Sequence, residues 1–394
     1  MLQDKVKRPG ILFLAFGQFL VWACLLYVFP ALLLRWEAGF GWSKTALTGA
    51  LTIALLCSAV CSPSVGRLID RGAGPVLLAG GAATGALCLS LLAFVTALWQ
   101  FYLLWALIGC TLSACLYEPC FMLITRAYGK DAKRSIIVVT LIAGFASSFS
   151  FPVAHWVAEE AGLRAVMLSF SAIALFLSTP LLWYGGKLVE QDVTVVVPTA
   201  GSAMNTVYLY NPLLLKIAFG FAVLAIVHGS TLHHLLPLLR DRGISVGNAV
   251  LVASLVGPMQ VAGRLVITAF QHRLSHTLIA HGCFVFMGLS MALLYSALFG
   301  LWVAVAFAIV FGASYGVVSI IRPVIARDFL GDTDFGAKSG LLAFFYLIGS
   351  AIAPYFASLL WSVGGYNLLL VVLTLCSAAG LLLIRSATRQ PPAF

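Results

Sequence analysis

The chain has 394 residues, of which 62% are hydrophobic and 9% charged, and its mean hydropathy is +1.05. Those values exclude a soluble globular domain and place it among membrane proteins. In such a chain the formal net charge of +10 reads as a topology signal and an attraction to anionic lipid, not as nucleic-acid binding.

A spanning helix needs ~20 apolar residues to cross ~30 Å of hydrocarbon. Twelve windows fit this rule, at 11–34, 44–66, 75–97, 101–125, 136–158, 164–184, 213–238, 247–270, 276–298, 300–325, 338–361 and 365–384. The first run is too long for a signal core and another span follows it directly, so it reads as the first helix. Alternate loops differ in basic residues, fifteen on the side of both termini against five on the other. That asymmetry predicts an inner (plasma) membrane protein with both termini cytoplasmic. The nine cysteines lie almost wholly inside spans, where they read as packing residues rather than disulfides.

In chain order, the first unusual stretch is "EAGFGW", Glu37–Trp42, just after the first span, and the next is the loop "GRLIDRGAGP", from Gly66 to Pro75. In the fourth span, "ACLYEPCFMLITRAYG" places Glu118, Tyr117 and Pro119 in an apolar run. Glu118 precedes Arg126 by eight residues, or ~12 Å at 1.5 Å per residue, so it is the one acid expected deep in a span. Either it lines a wet cavity and carries a proton, or it is neutral and hydrogen-bonded in helix packing. His155 follows Pro152 in the fifth span and is a weaker candidate for a cavity wall. Residues 185–212 form the least apolar long stretch, which divides the chain into 1–184 and 213–394.

The seventh span holds "IVHGSTLHHLLPLL". His228 is the deep histidine, while His233 and His234 lie farther out and either titrate or simply pack. Lys216, near the start of this span, reads as a snorkelling lysine. In the eighth span, "GPMQVAGR" places Arg264 beside Gln260. Arg264 either faces a cavity near the membrane centre or belongs to the following loop. In the tenth span Arg322 precedes Pro323, a proline that frees a carbonyl inside the helix. Met287 with Met291, and Cys57 with Cys61, have the i,i+4 spacing that would suit copper(I), but each pair stands alone on its helix. No phosphate-cradling loop, nucleophile elbow or metal-hydrolase helix occurs, so neither an enzyme nor a cofactor is expected.

The halves repeat one another: "GRLIDRGAGPVLLAGG" is echoed by "GRLVITAFQHRLS", and "EPCFMLITRAYG" by "RPVIARDFLG", roughly 200 residues apart in both cases, as in parallel-repeat transporters. With twelve spans and a central linker, the loop at Gly66, Asp70, Arg71 and Gly74 resembles the signature of the major facilitator superfamily. That resemblance implies an all-α integral membrane fold of two six-helix bundles, alternating access, and a conformational latch at Gly66, Asp70 and Arg71. "EAGFGW" resembles the narrower monocarboxylate-porter signature in five of six positions, with Ala38 replacing a glycine. Arg264 stands where those porters keep a substrate-binding arginine, and Gln260 where they keep an acid.

The resulting expectation is a monomeric secondary transporter of a small organic anion, coupled to protons through Glu118. Substrate would be bound by Arg264, Arg322, Tyr117, His228, His233 and Gln260. Glu118 and Arg322, equivalent in the repeat and opposite in charge, are expected to neutralise each other in the empty state. The alternative is a proton-driven exporter of a drug-like substrate, although the fifth span lacks the glycine-proline motif of drug antiporters. A metal transporter is the minor alternative.

Overall fold

The computed structural model describes residues 9–129, 132–193, 211–270, 273–331 and 335–389, all helical or in short connections. Among the described residues, nine continuous helical segments are long and apolar enough to cross a membrane. Three of them bend back at glycine and are each two spans, which brings the number to twelve. The turning points are Gly72, at φ 89°, Gly162, at φ 83°, and Gly364 with Gly365. A positive φ is cheap only for glycine, so Gly72, Gly162 and Gly365, at φ 67°, reverse the chain where a side chain would be strained.

The spans are α1 (Pro9–Phe40), α2 (Lys44–Leu68), α3 (Gly74–Leu92), α4 (Leu98–Tyr128), α5 (132–161), α6 (163–190), α7 (212–241), α8 (Val246–Phe270), α9 (His276–Phe299), α10 (Leu301–Leu330), α11 (335–363) and α12 (366–387). Most are longer than the apolar windows, because polar ends continue the helix beyond the hydrocarbon. The clearest case is α6, which runs through Lys187 to Glu190, so the interhalf segment starts later than residue 185. Lys187 stacks over Trp183 at 4.4 Å, and Glu190 binds Arg126. Much of the linker, residues 194–210, lies outside the described residues, as do Lys5, Lys7, Arg8 and Lys130.

The chain divides into two compact units, residues 1–201 and 202–394. In each, helices cross in backbone contact at glycine. A Cβ on Gly109 of α4 would overlap the Ala54 backbone of α2. In the second unit Gly312 and Gly316 of α10 meet the Val256 and Gln260 carbonyls of α8, and Gly263 of α8 meets Ala313. Backbone contact of this kind is how helices associate where lipid is as apolar as leucine.

Irregular turns are satisfied by neighbouring hydroxyls and rings, as the hydrocarbon setting requires. A π-turn at Trp22–Leu26 in α1 has its Ala23 carbonyl taken by Ser150 of α5 at 2.8 Å. In α7 the helix is interrupted at His234. That ring is fully buried and lies within hydrogen-bond reach of the Pro354 carbonyl, Ser358 and Tyr366. Ser230 donates to the Ala353 carbonyl at 3.0 Å, so α7 and α11 are pinned together twice. His234 is therefore a packing histidine.

Candidate functional site

Polar side chains inside a span are costly and need partners, and in the second unit they gather at one level of α7, α8, α10 and α11. The glycine crossing sets the frame. Because Gly316 has no side chain, α8 comes close enough for Arg264 Nε to donate to the Gly316 carbonyl at 3.0 Å. Arg264 lies within α8, not in a loop, and is only 8% exposed. One turn earlier, Gln260 is 6% exposed, and its Nε2 has no hydrogen-bond partner among the described residues.

From α7, His228 stacks on the Tyr315 ring at 3.2 Å between centroids and on Phe311 at 5.2 Å. Its Nε2 is buried without a hydrogen-bond partner among the described residues. The Tyr315 hydroxyl bonds that of Tyr346 on α11 at 2.9 Å. Arg322, half-buried, lies over the Tyr346 ring at 4.1 Å. Both guanidinium charges, Arg264 and Arg322, act on Tyr315. His233, buried, is near enough to His228 for their charges to interact.

Three of the expected binding residues, His228, Arg264 and Arg322, thus converge on Tyr315, with Gln260 one turn from Arg264. Tyr315 and Tyr346 were not singled out by sequence, because a tyrosine is ordinary in a span until its neighbours are known. The electrostatic setting is equally distinctive: among the described residues of this unit the acids are Asp241 and Asp328, both near helix ends. No carboxylate lies on the same helices at the depth of the two arginines.

The first unit places Tyr117 and Glu118 at a break in α4. Leu116 is extended (φ −84°, ψ −161°), and a new helix starts at Tyr117. Pro119 therefore sits in a first turn rather than in mid-helix. It has no N–H for the carbonyl four residues back, that of Cys115, and buried Gln18 of α1 supplies the donor instead at 2.8 Å. Gln18 was missed by sequence, although it is an amide inside an apolar run. Its Oε1 and the nearby Trp22 Nε1 have no hydrogen-bond partner among the described residues. Trp22 packs on Tyr117 at 4.5 Å, and Tyr117 stacks on Phe121 at 5.0 Å. Glu118 is exposed, which contradicts the option of a neutral carboxyl sealed in helix packing.

At the turn between α2 and α3, Gly66 is buried against Met122, Asp70 is half-buried and Arg71 exposed. Among the described residues the ion pair at this end joins Arg126 of α4 to Glu190 of α6, and Arg126 also donates to the Ile69 carbonyl at 3.0 Å. Tyr128 adds a bond to Asp192 at 2.9 Å. The turn is thus fastened to α4 and α6 by residues outside the loop motif.

"EAGFGW" has a local structural explanation. Gly41 ends α1 at φ 70°, Glu37 pairs with Lys44 at 2.9 Å, and Phe40 stacks on Trp42 at 4.5 Å. Across the same end of the unit, Arg35 binds Glu159 and donates to His155 Nδ1 at 3.2 Å. Glu159 is held below the usual carboxylate range, chiefly by its hydrogen bond to Arg35. Lys216 bonds Ser386 at 3.0 Å. Met291 accepts a bond from Thr231 at 3.3 Å, and Cys61 faces Cys110. No group of three His, Cys, Asp or Glu side chains converges among the described residues.

The family model described as Major Facilitator Superfamily matches residues 11–354. The chain belongs to that superfamily. Among solved structures this facilitator resembles a point mutant of the nucleoside transporter NupG, with a TM-score of 0.71 and 14% identity over 96% of this chain and 98% of that one. It also resembles a bacterial homologue of the human lysosomal transporter Spinster in an inward-facing, occupied conformation, with a TM-score of 0.66 and 14% identity over 96% of each chain. At that identity the likeness is one of fold. Compared with curated protein sequences, the chain has no match.

Proposed function

We propose that this facilitator is a proton-coupled secondary transporter of a small, monocarboxylate-like organic anion. The observation that carries the reading is the cluster around Tyr315. Two guanidinium groups act there together, and the buried Nε2 atoms of His228 and Gln260 have no hydrogen-bond partner among the described residues. A carboxylate offers two acceptor oxygens and one negative charge, which is what two arginines and an amide N–H select. It would also supply the counter-charge that these helices do not carry at the depth of the two arginines.

The proton is assigned to Glu118, exposed on a broken span in the other unit. The fastening of the α2–α3 turn by Arg126 and Glu190 supports a conformational role for Gly66, Asp70 and Arg71, with Arg126 as a member of that group. The excess of Lys and Arg on alternate loops supports a multi-pass protein of a bacterial-type inner membrane with cytoplasmic termini. Proton-driven export of an amphipathic cation has one observation in its favour, the stacked Trp22, Tyr117 and Phe121 beside an exposed acid.

The test is uptake of labelled monocarboxylates by purified protein in liposomes with an imposed pH gradient. Arg264→Ala and Arg322→Ala are each expected to reduce uptake more than tenfold, since truncating one member of a buried charged contact costs ~2–5 kcal/mol. Glu118→Gln is expected to retain anion exchange and lose the response to the gradient. Uptake of carboxylates that survives both arginine changes would overturn the anion site. A gradient response intact in Glu118→Gln would overturn the proton assignment, and transport of lipophilic cations alone would favour export.

A further inference from the structure

The ends of α7, α9 and α12 that lie on the side of the linker carry a feature unrelated to the Tyr315 cluster. The last turn of α12 is held from both sides by cationic or basic side chains. Lys216 of α7 donates to Ser386 at 3.0 Å, and the His281 ring of α9 bonds Thr388 at 3.1 Å. Arg385 acts electrostatically on His281, and Arg385 and Arg389 are both exposed. Four basic groups are thereby drawn together and anchored by neutral hydroxyls. Two other basic side chains at this side of the chain meet acids, Arg126 with Glu190 and His276 with Asp328. These three helices bring no acid of their own, since α7 before Asp241, all of α9 and all of α12 contain neither Asp nor Glu, and Asp328 of α10, which reaches the start of α9, is taken by His276.

Like charges held close without an acid repel one another, and an anion among them removes the repulsion. The surface next to the cluster says which anion. Phe219 lies three residues after Lys216, Leu382 three residues before Arg385, and Leu278 three residues before His281, and all three are large exposed apolar side chains. Phe219 and Leu382 lie on the hydrocarbon side of Lys216 and Arg385, and Leu278 lies at the edge of the same face, which suits a phosphate that carries acyl chains rather than a free ion. Basic pockets between membrane helices are a recurrent setting for anionic headgroups.

We infer that the linker-side ends of α7, α9 and α12 form a binding site for the phosphate headgroup of an anionic phospholipid. Lys216 and Arg385 contact the phosphate, Arg389 adds long-range attraction, and the acyl chains lie over Phe219 and Leu382. The site is separate from substrate recognition and stands or falls independently of the transported species.

The test uses full-length protein in uncharged detergent and follows thermal unfolding by its tryptophan fluorescence. Phosphatidylglycerol in mixed micelles is expected to raise Tm, whereas phosphatidylcholine at the same mole fraction leaves it unchanged, since a ligand that binds only the folded state stabilises it. The rise should shrink as salt increases. Arg385→Gln combined with Arg389→Gln changes two exposed side chains and should keep the Tm measured in phosphatidylcholine while losing the rise with phosphatidylglycerol. Lys216→Gln should lose most of it. An undiminished rise in the double variant would overturn the location, and an equal rise with inorganic phosphate alone would overturn the lipid as the ligand. Phosphatidylglycerol retained on the wild-type protein in native mass spectrometry, and reduced on the double variant, gives a readout that does not depend on Tm.

Discussion

Spans α4 and α10 occupy equivalent places in the repeat and carry related stretches, "YEPCF" and "IRPVI", yet they solve the same backbone problem differently. In α4 the helix breaks at Leu116, the proline enters a first turn, and the freed Cys115 carbonyl is taken by Gln18 of α1. In α10 the helix runs unbroken past Pro323, and the residue before the proline is an arginine lying on Tyr346. The break leaves an exposed acid, while the continuous helix leaves a half-buried cation among aromatic rings. One fold repeat has thus produced two chemically opposite positions, and the local backbone accompanies that difference.

The sharpest way to break the comparison is at what the two halves share, the glycine crossings. Gly109→Val and Gly316→Val should each destabilise the protein by about 3 kcal/mol or more, at the upper end of overpacking costs, because the added side chain meets backbone and not a movable side-chain tip. Folded yield and Tm in detergent are the measurements. Equal losses would mean that the α2–α4 and α8–α10 crossings are equivalent contacts, and a tolerant Gly109 would mean that the α8–α10 crossing is the tighter of the two.

The next effect isolates what the halves do not share. Gln18→Leu removes the donor to Cys115 and leaves a buried carbonyl unpaired, which costs ~1–3 kcal/mol. Pro119→Ala restores a backbone N–H in the same turn, so the double variant should regain much of that loss. A double-mutant cycle on Tm reports the coupling. Pro323→Ala in α10 should show no coupling to Gln18. Additive effects for Gln18 and Pro119 would show that the amide is not standing in for the missing donor.

The parts of the molecule that were legible in sequence are those governed by one-dimensional patterns. A window of ~20 apolar residues is a property of the chain itself, so twelve spans could be placed without knowing any contact. Arg264 and His228 stood out because polar groups are expensive in hydrocarbon, and Gln260 because it stands where the monocarboxylate porters keep an acid. The break at Leu116 was not visible, since Pro119 marks the neighbourhood but the chain opens three residues before it. Tyr315, Tyr346 and Gln18 became informative only through partners on other helices: a stacked ring, a shared hydroxyl contact and a proline's orphaned carbonyl. His233 and His234 show the same limit, because adjacent residues of one type were given their positions by the break in α7. "EAGFGW" shows the reverse, a motif whose residues have local structural work as a helix end.

The smallest expected effect concerns the ends of the units that carry Arg35 and Arg242. Arg35 holds an ionised Glu159 and donates to His155, whereas Arg242 is buried and donates to the neutral Asn367 at 2.7 Å. Because Glu159 is held below its ordinary range in the folded state, its contribution is fully present above the unfolded carboxylate pKa, near ~4.3. It is lost as pH falls through the lower, folded value. The carboxylate is well exposed, so solvent screens the pair and the effect on stability is small. Unfolding followed from about pH 6 down to about pH 3 should show a shallow fall in Tm that Arg35→Gln reduces and Glu159→Gln also reduces, with little further loss in the double variant. Asn367→Ala should instead lower Tm by the same amount at every pH in that range, since no proton is involved. A pH-dependent loss in Asn367→Ala would mean that Arg242 draws mainly on Asp241, 3.9 Å away, and that the two ends are more alike than their hydrogen bonds indicate.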